Sequence, residues 1–336
     1  MQTLPIFVHI PKTSGTSVNT LIGCNYEKGE YGNITADIVR ENRERESPLD
    51  PKIVLRHVLR ERRNLVRCKL ISGHIPYGIH RILGIKPQYY VFLRDPATHL
   101  VSYIRNSNRT TAAFLQHNMF SPKTMGYEFL LKLLNCASLS EMLDIVLAPD
   151  FCPTGNSFRN LLTHYVSGCW YTEQVSLTQL NVAIDNLRAS TFVGLTEEFE
   201  LSILMMAKKL KWRNVIPAIA RVSPDSGVYE VSAEIRARLV RPLAYDQALY
   251  EVGQDIFHEA VRAEGTRLTE AAAQLREIHQ QLRRESPKNL HADEQNSIRL
   301  WTDLPMPEPF EIARALNANL SPASPLGRWR EVCAAA

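Results

Sequence analysis

A chain of 336 residues that is 45% hydrophobic and 22% charged has the composition of a globular protein with material for one large core or two modest ones, which excludes the disordered and fibrous classes. A formal net charge of +4 is too small to argue for nucleic acid, but it is compatible with anionic ligands. The six cysteines are scattered without CxxC or Cys/His ligand spacing, so free thiols are expected rather than a zinc site or a disulfide framework.

Residues Leu4 to Gly23 read LPIFVHIPKTSGTSVNTLIG. Ile6, Phe7, Val8 and Ile10 form a short apolar run suited to a strand buried on both faces. Pro11 breaks it, and Lys12-Thr13-Ser14-Gly15-Thr16-Ser17 leads into Val18, Leu21 and Ile22 at helical spacing. A strand, a tight loop and a helix N-terminus together make a natural anion site, because the first helical turn has unpaired N–H groups and the positive end of the dipole. Gly15 lets the backbone approach a ligand, Ser14, Thr16 and Ser17 add hydroxyls, and Lys12 adds a full charge. The plainer reading is a helix capped by Thr13 or Ser14. The common nucleotide loop ends in Gly-Lys-Ser/Thr, whereas here the Lys comes first.

Tyr26 to Asn33 reads as a Gly-containing loop. Residues 40 to 69 hold ten Lys/Arg against five Asp/Glu, and Val54, Leu55, Val58 and Leu59 within them have helical spacing, so an amphipathic helix with a basic outer face is expected. That face is either solvated or a surface for an anionic acceptor. Lys69 to Ser72 reads as a short strand ending at Gly73-His74. A histidine in such a turn is either a catalytic group held on a loop or a surface side chain, and His57, His80, His9 and Glu30 are its competitors, with His9 expected to pack beneath the first loop.

Tyr89 to Leu93 is an aromatic and β-branched run typical of a central strand. Arg94-Asp95-Pro96 ends it, and Leu100, Val101 and Ile104 give the next helix its apolar face, with Ser102 eight residues beyond Arg94. An Arg at a strand tip can make two hydrogen bonds to a phosphate, and a helical Ser facing back can add a third.

Helices are expected over Met125 to Leu134, over Ser138 to Leu147 with a Ser138/Glu141 capping box, from Asn156 to about Gly168, and over Leu177 to Leu187. Thr191 to Glu197 reads as a strand turning into a helix at Phe199 to Trp212, and two helices flank Pro242 between Ser232 and Ala263. Thr266 to Glu285 is a polar helix that packs on the surface or against another protomer of a homo-oligomer. Beyond Ser286 the proline density and weak periodicity suggest a lightly ordered tail. The three strand-to-helix units imply an α/β fold with an open parallel sheet covered by helices and a helix-rich C-terminal half, ligands lying at the carboxyl ends of the strands. The domain division is 1–263 for the sheet-containing unit and 264–336 for the C-terminal helix and tail. No apolar run approaches ~18 residues, and no signal peptide precedes the first strand, so a cytoplasmic protein without an integral membrane segment is expected.

The order Pro11-Lys12-Thr13-Ser14-Gly15-Thr16-Ser17 after a strand resembles the 5′-phosphosulfate-binding loop of sulfotransferases that use 3′-phosphoadenosine 5′-phosphosulfate (PAPS), and His9 to Ser17 is most similar to the carbohydrate, heparan sulfate 2-O-sulfotransferase-like branch. Arg94-Asp95-Pro96 with Ser102 looks like the 3′-phosphate-binding segment of the same family. The resemblance covers roughly residues 4 to 260. It implies a P-loop-NTPase-like sheet and PAPS as co-substrate, with Lys12 at the leaving 5′-phosphate, Thr13, Ser14, Gly15, Thr16 and Ser17 around it, and Arg94 and Ser102 on the 3′-phosphate. It also implies His74 as the base for a small-molecule or glycan hydroxyl, with no metal. Arg221-Val222-Ser223-Pro224 falls where related enzymes place a loop over the nucleotide. The rivals are an ATP-dependent kinase or nucleotide hydrolase, which would need Asp95 for Mg²⁺, and a non-catalytic nucleotide- or glycan-binding module.

Overall fold

The computed structural model of the chain describes residues 2–41, 51–116, 127–148, 158–169, 175–215 and 231–285. Five strands form one sheet: β1 (Thr3–Val8), β2 (Tyr31–Asn33), β3 (Leu70–Gly73), β4 (Lys86–Leu93) and β5 (Phe192–Leu195). Every pairing is parallel and the order is β2-β3-β1-β4-β5. The expected α/β class with a central parallel sheet is therefore what the chain adopts. The three inner strands are the apolar runs read from the sequence, and Ile6, Phe7, Val8, Val91, Phe92 and Leu93 are all fully buried, as strands covered on both faces must be.

β2 corrects the loop expected at 26–33. It has three residues, sits at the sheet edge and contains Gly32, so neither β-propensity nor alternation announces it. Pairing with β3 through Tyr31↔Leu70 and Asn33↔Ser72 is what makes it a strand.

Helices α1 (Gly15–Asn25), α2 (Ile34–Glu41), α3 (Pro51–Leu65), α4 (Ile79–Leu83) and α5 (Pro96–Gln116) fill the first half. In α3 the spacing is helical as expected, but Val54 and Val58 are buried while Leu55 and Leu59 are exposed, because the packed stripe continues through His57 and Leu65 instead. Helices α6 (Tyr127–Leu134), α7 (Leu139–Leu147), α8 (Leu161–Ser167), α9 (Leu177–Arg188), α10 (Phe199–Leu210), α11 (Ala233–Leu239), α12 (Ala244–Glu264) and α13 (Thr266–Glu285) follow. Ser138 caps α7 by accepting from the Glu141 N–H. Ser176 and Gln179 form a capping box on α9 that the sequence reading left unremarked. The third of the helices expected in the middle begins at Leu161, and Gly168 ends it at φ 79°. Asn156, the Arg221-Val222-Ser223-Pro224 stretch and the tail from Ser286 lie outside the described residues.

One core surrounds the sheet, and a second gathers Leu100, Val101 and Ile104 of α5 with Leu133, Leu143, Val146, Leu239 and Leu243. α13 docks on α10 of its own chain. Leu275 is fully buried in the sheet's core, and His279 Nδ1–H donates to Glu200 at 3.0 Å. Burial pushes the Glu200 carboxyl up, but the His279 hydrogen bond and its other partners bring it below its ordinary value. Among the described residues, Cys68 and Cys136 are free thiols. Among the described residues no helix is long and apolar enough to cross a membrane.

Candidate anion-binding site

The chain leaves β1 towards one edge of the sheet and β4 towards the other, so the carboxyl ends of these neighbours flank the point where strand order reverses, the usual ligand crevice of open α/β sheets. Val8 pairs with Val91. Beyond that pair β1 ends at once and β4 two residues later, and the loop after β1 meets the tip of β4.

The contact is direct. Arg94 Nη1 donates to the Lys12 carbonyl at 3.1 Å, and His99, one turn into α5, donates Nε2–H to the Pro11 carbonyl at 2.7 Å. Thr13 Oγ1 donates to the Ile10 carbonyl at 2.9 Å, and His74 Nδ1–H to the His9 carbonyl at 2.6 Å. Four consecutive carbonyls, residues 9 to 12, are thus each held by a side chain. A loop whose C=O groups are tied back in this way is freed to present N–H groups to a ligand, as an anion-binding nest requires. Lys12 at φ 68° and Ser14 at φ 62° stand in the left-handed region, at a cost of about 1–3 kcal/mol each for residues with a Cβ.

Neither expected cap is made. The Thr13 side chain is fully buried and its hydroxyl serves Ile10, while Ser14, at the cap position of α1, makes no side-chain capping bond. The first-turn N–H groups of Gly15, Thr16 and Ser17 have no acceptor within the helix.

On α5, His99 reaches Pro11, and Asn106 Oδ1 accepts from Lys12 Nζ at 3.3 Å. Ser102 lies between them at i+3 from His99, on the stripe of the helix that faces the loop, and is buried. Lys12, Ser14, Gly15, Thr16, Ser17, Arg94 and Ser102 are therefore brought to one place, with Thr13 shaping the loop rather than offering a hydroxyl. The sequence reading missed His99, Asn106 and Asn19, the last of which donates its Nδ2–H to His9 Nδ1 at 3.0 Å. The 99, 102, 106 spacing after a strand-tip Arg was the signal that could have found the first two.

His74 follows β3 and joins the same loop. Its N–H donates to Thr35 Oγ1 at 2.7 Å, its ring lies 4.1 Å from that of His9, and its bond to a carbonyl places the proton on Nδ1 and leaves Nε2 with a lone pair. Burial pushes its pKa down to about 4, against the opposite pull of the His9 carbonyl. His99 is likewise pushed down to about 4 by burial, with the Pro11 carbonyl opposing and Arg94 and Lys12 adding. Both rings are neutral at pH 7. The competitors are occupied elsewhere: His80 bonds the Tyr89 hydroxyl, His57 accepts from Arg60, and Glu30 pairs with Lys69.

Asp95 is committed. Arg236 Nη1 lies 3.1 Å from both of its oxygens, and Oδ1 accepts the Thr98 N–H at 2.9 Å, which makes Asp95 the cap of α5. Glu197 Oε1 takes the Asp95 N–H and Oε2 the Tyr250 hydroxyl, so the Thr196-Glu197 turn braces the strand tip. No cluster of His, Cys, Asp or Glu suited to a metal occurs among the described residues. No protein-family model matches the chain, and no curated protein matches it.

Proposed function

We propose that the protein is a PAPS-dependent sulfotransferase that transfers a sulfonyl group to an acceptor hydroxyl, on a small molecule or a glycan. The observation that carries this reading is the 3.1 Å contact between Arg94 and the Lys12 carbonyl, which sets a loop built for one anion beside a cation able to grip another. A doubly phosphorylated adenosine offers anionic groups at two such positions, and a P-loop-NTPase-like description of the sheet belongs with this reading.

The acceptor oxygen attacks sulfur, the bond from sulfur to the bridging 5′-phosphate oxygen breaks, and the acceptor's proton passes to Nε2 of His74. Lys12 and the N–H groups of residues 14 to 17 offset the charge that builds on the leaving phosphate. Arg94 and Ser102 hold the 3′-phosphate. A bound polyanion raises a nearby imidazole's pKa, which moves His74 from about 4 towards the range a base needs. The commitment of Asp95 to Arg236 and Thr98 weighs against a metal-dependent kinase.

The test is calorimetry with 3′-phosphoadenosine 5′-phosphate, ADP, and ADP with Mg²⁺. The first is expected to bind best and without metal, and Arg94→Ala to abolish its advantage. Stronger binding of ADP with Mg²⁺, or an unchanged preference in Arg94→Ala, overturns the reading.

A further inference from the structure

His9 sits at the floor of the loop and is spent on none of the roles above except through its carbonyl. Its side chain is 92% buried, being 8% exposed, and it is fixed on three sides. Phe7 stacks at 6.0 Å, His74 covers it at 4.1 Å, and Asn19 Nδ2–H donates to Nδ1 at 3.0 Å. With Nδ1 accepting, the ring's proton is on Nε2. The opposite amide orientation would strand an NH₂ with two hydrogens where a single carbonyl oxygen now stands unpaired.

The Nε2 edge fills the space of Gly15's missing side chain. A Cβ there would lie 1.8 Å from His9 Cδ2 and 2.1 Å from Nε2. Cα–Cβ bonds tilt towards a helix's N-terminus, and Gly15 is the first residue of the 11-residue α1. The Nε2–H is therefore at the mouth of the helix, beside the N–H groups left open there, and it has no acceptor among the described residues. Nε2 itself is not sealed from the outside as the unpaired Asn19 oxygen is, so an incoming ligand can reach it.

We propose that His9 is a ligand of the oxyanion held by the Lys12 loop, its neutral Nε2–H donating alongside the α1 backbone. The proposal rests on the reading of this loop as an anion site and adds a residue to it. The ligand class is a tetrahedral oxyanion such as a phosphate or sulfate group, whose several lone pairs can satisfy the imidazole, the backbone and Lys12 at once. A neutral donor adds a hydrogen bond without a second cation pressed against Lys12, and it gives the glycine at position 15 a second reason to be there.

The experiment is ¹H–¹⁵N NMR of the histidine-labelled full chain, titrated with 3′-phosphoadenosine 5′-phosphate and separately with inorganic pyrophosphate, together with calorimetry of variants. The free protein is expected to show His9 protonated at Nε2 alone, and both anions to move that resonance. His9→Ala is expected to weaken 3′-phosphoadenosine 5′-phosphate about tenfold or more, the worth of a hydrogen bond to a charged group. It should leave adenosine 3′-phosphate, which lacks the 5′ group, unaffected, and His9→Gln should restore part of the loss. An unmoved His9 resonance, or equal losses for both nucleotides, overturns the proposal. If the wild type shows no preference for the doubly phosphorylated nucleotide, the sulfotransferase reading fails, and the pyrophosphate titration still decides the role of His9.

Discussion

At Gly15, a single methyl group separates a working loop from a broken one. A Cβ would fall 1.8 Å from the His9 ring, so Gly15→Ala is expected to expel the imidazole or shift the helix, at about 1–3 kcal/mol. Urea denaturation checks this, and His9→Ala added to Gly15→Ala should recover most of the loss, since the two positions share one volume; additive losses would contradict it. His74→Ala is expected to lower turnover about 10²–10⁴-fold, the usual worth of a general base, with nucleotide affinity unchanged by calorimetry. Normal turnover would remove His74 as the base. The strand–loop–helix layout around Lys12 and Gly15 and around Arg94 and Ser102 was legible because its signals are local. His99 and Asn106 were not, because the partner of each is a loop more than eighty residues away.

Among the elements, α8 and α12 are joined by one buried carboxylate. Asp246 accepts from the N–H groups of Leu162 and Thr163 and from the Thr163 hydroxyl, and Asn160 Oδ1 takes the Asp246 N–H in return. Asp246→Ala leaves these buried donors unpaired and is expected to cost about 1–3 kcal/mol or more, read from the denaturation midpoint. α13 makes a similar claim for itself. Its pattern read as a polar helix lying on the surface or against another protomer, and the register by which Leu275 enters the core depends on which stripe of α10 is left uncovered. Leu275→Ala is expected to cost about 2–5 kcal/mol, whereas a loosely laid surface helix would lose less than about 0.5 kcal/mol.

For the whole molecule, the buried imidazoles set a pH dependence. His74 and His99 are pushed down to about 4 and His9 well below its usual range, each by burial first. The unfolded chain takes up these protons near pH 6.5, so it binds more protons between about pH 4 and 6.5. Stability present above that range is lost as pH falls through it. Asp246, raised by burial to about 6, acts oppositely, because the native state protonates first. His80 is lowered by burial as well, so with four imidazoles against this carboxyl among the described residues, unfolding free energy is expected to fall from pH 7 to pH 5, by up to about 1.4 kcal/mol per pH unit for each uncompensated proton. Denaturant titrations at the two pH values check the sign, and a flat or rising profile would contradict it. The amino-acid pattern alone determined the inner strands and most of the helices, because each is written in contacts a few residues apart. Only the tertiary structure decided that β1 lies beside β4, that Tyr31–Asn33 is a strand, and that four loop carbonyls are tied back by His74, Thr13, Arg94 and His99. Strand order is a choice among distant partners of similar apolar character, and local sequence carries no term that distinguishes them.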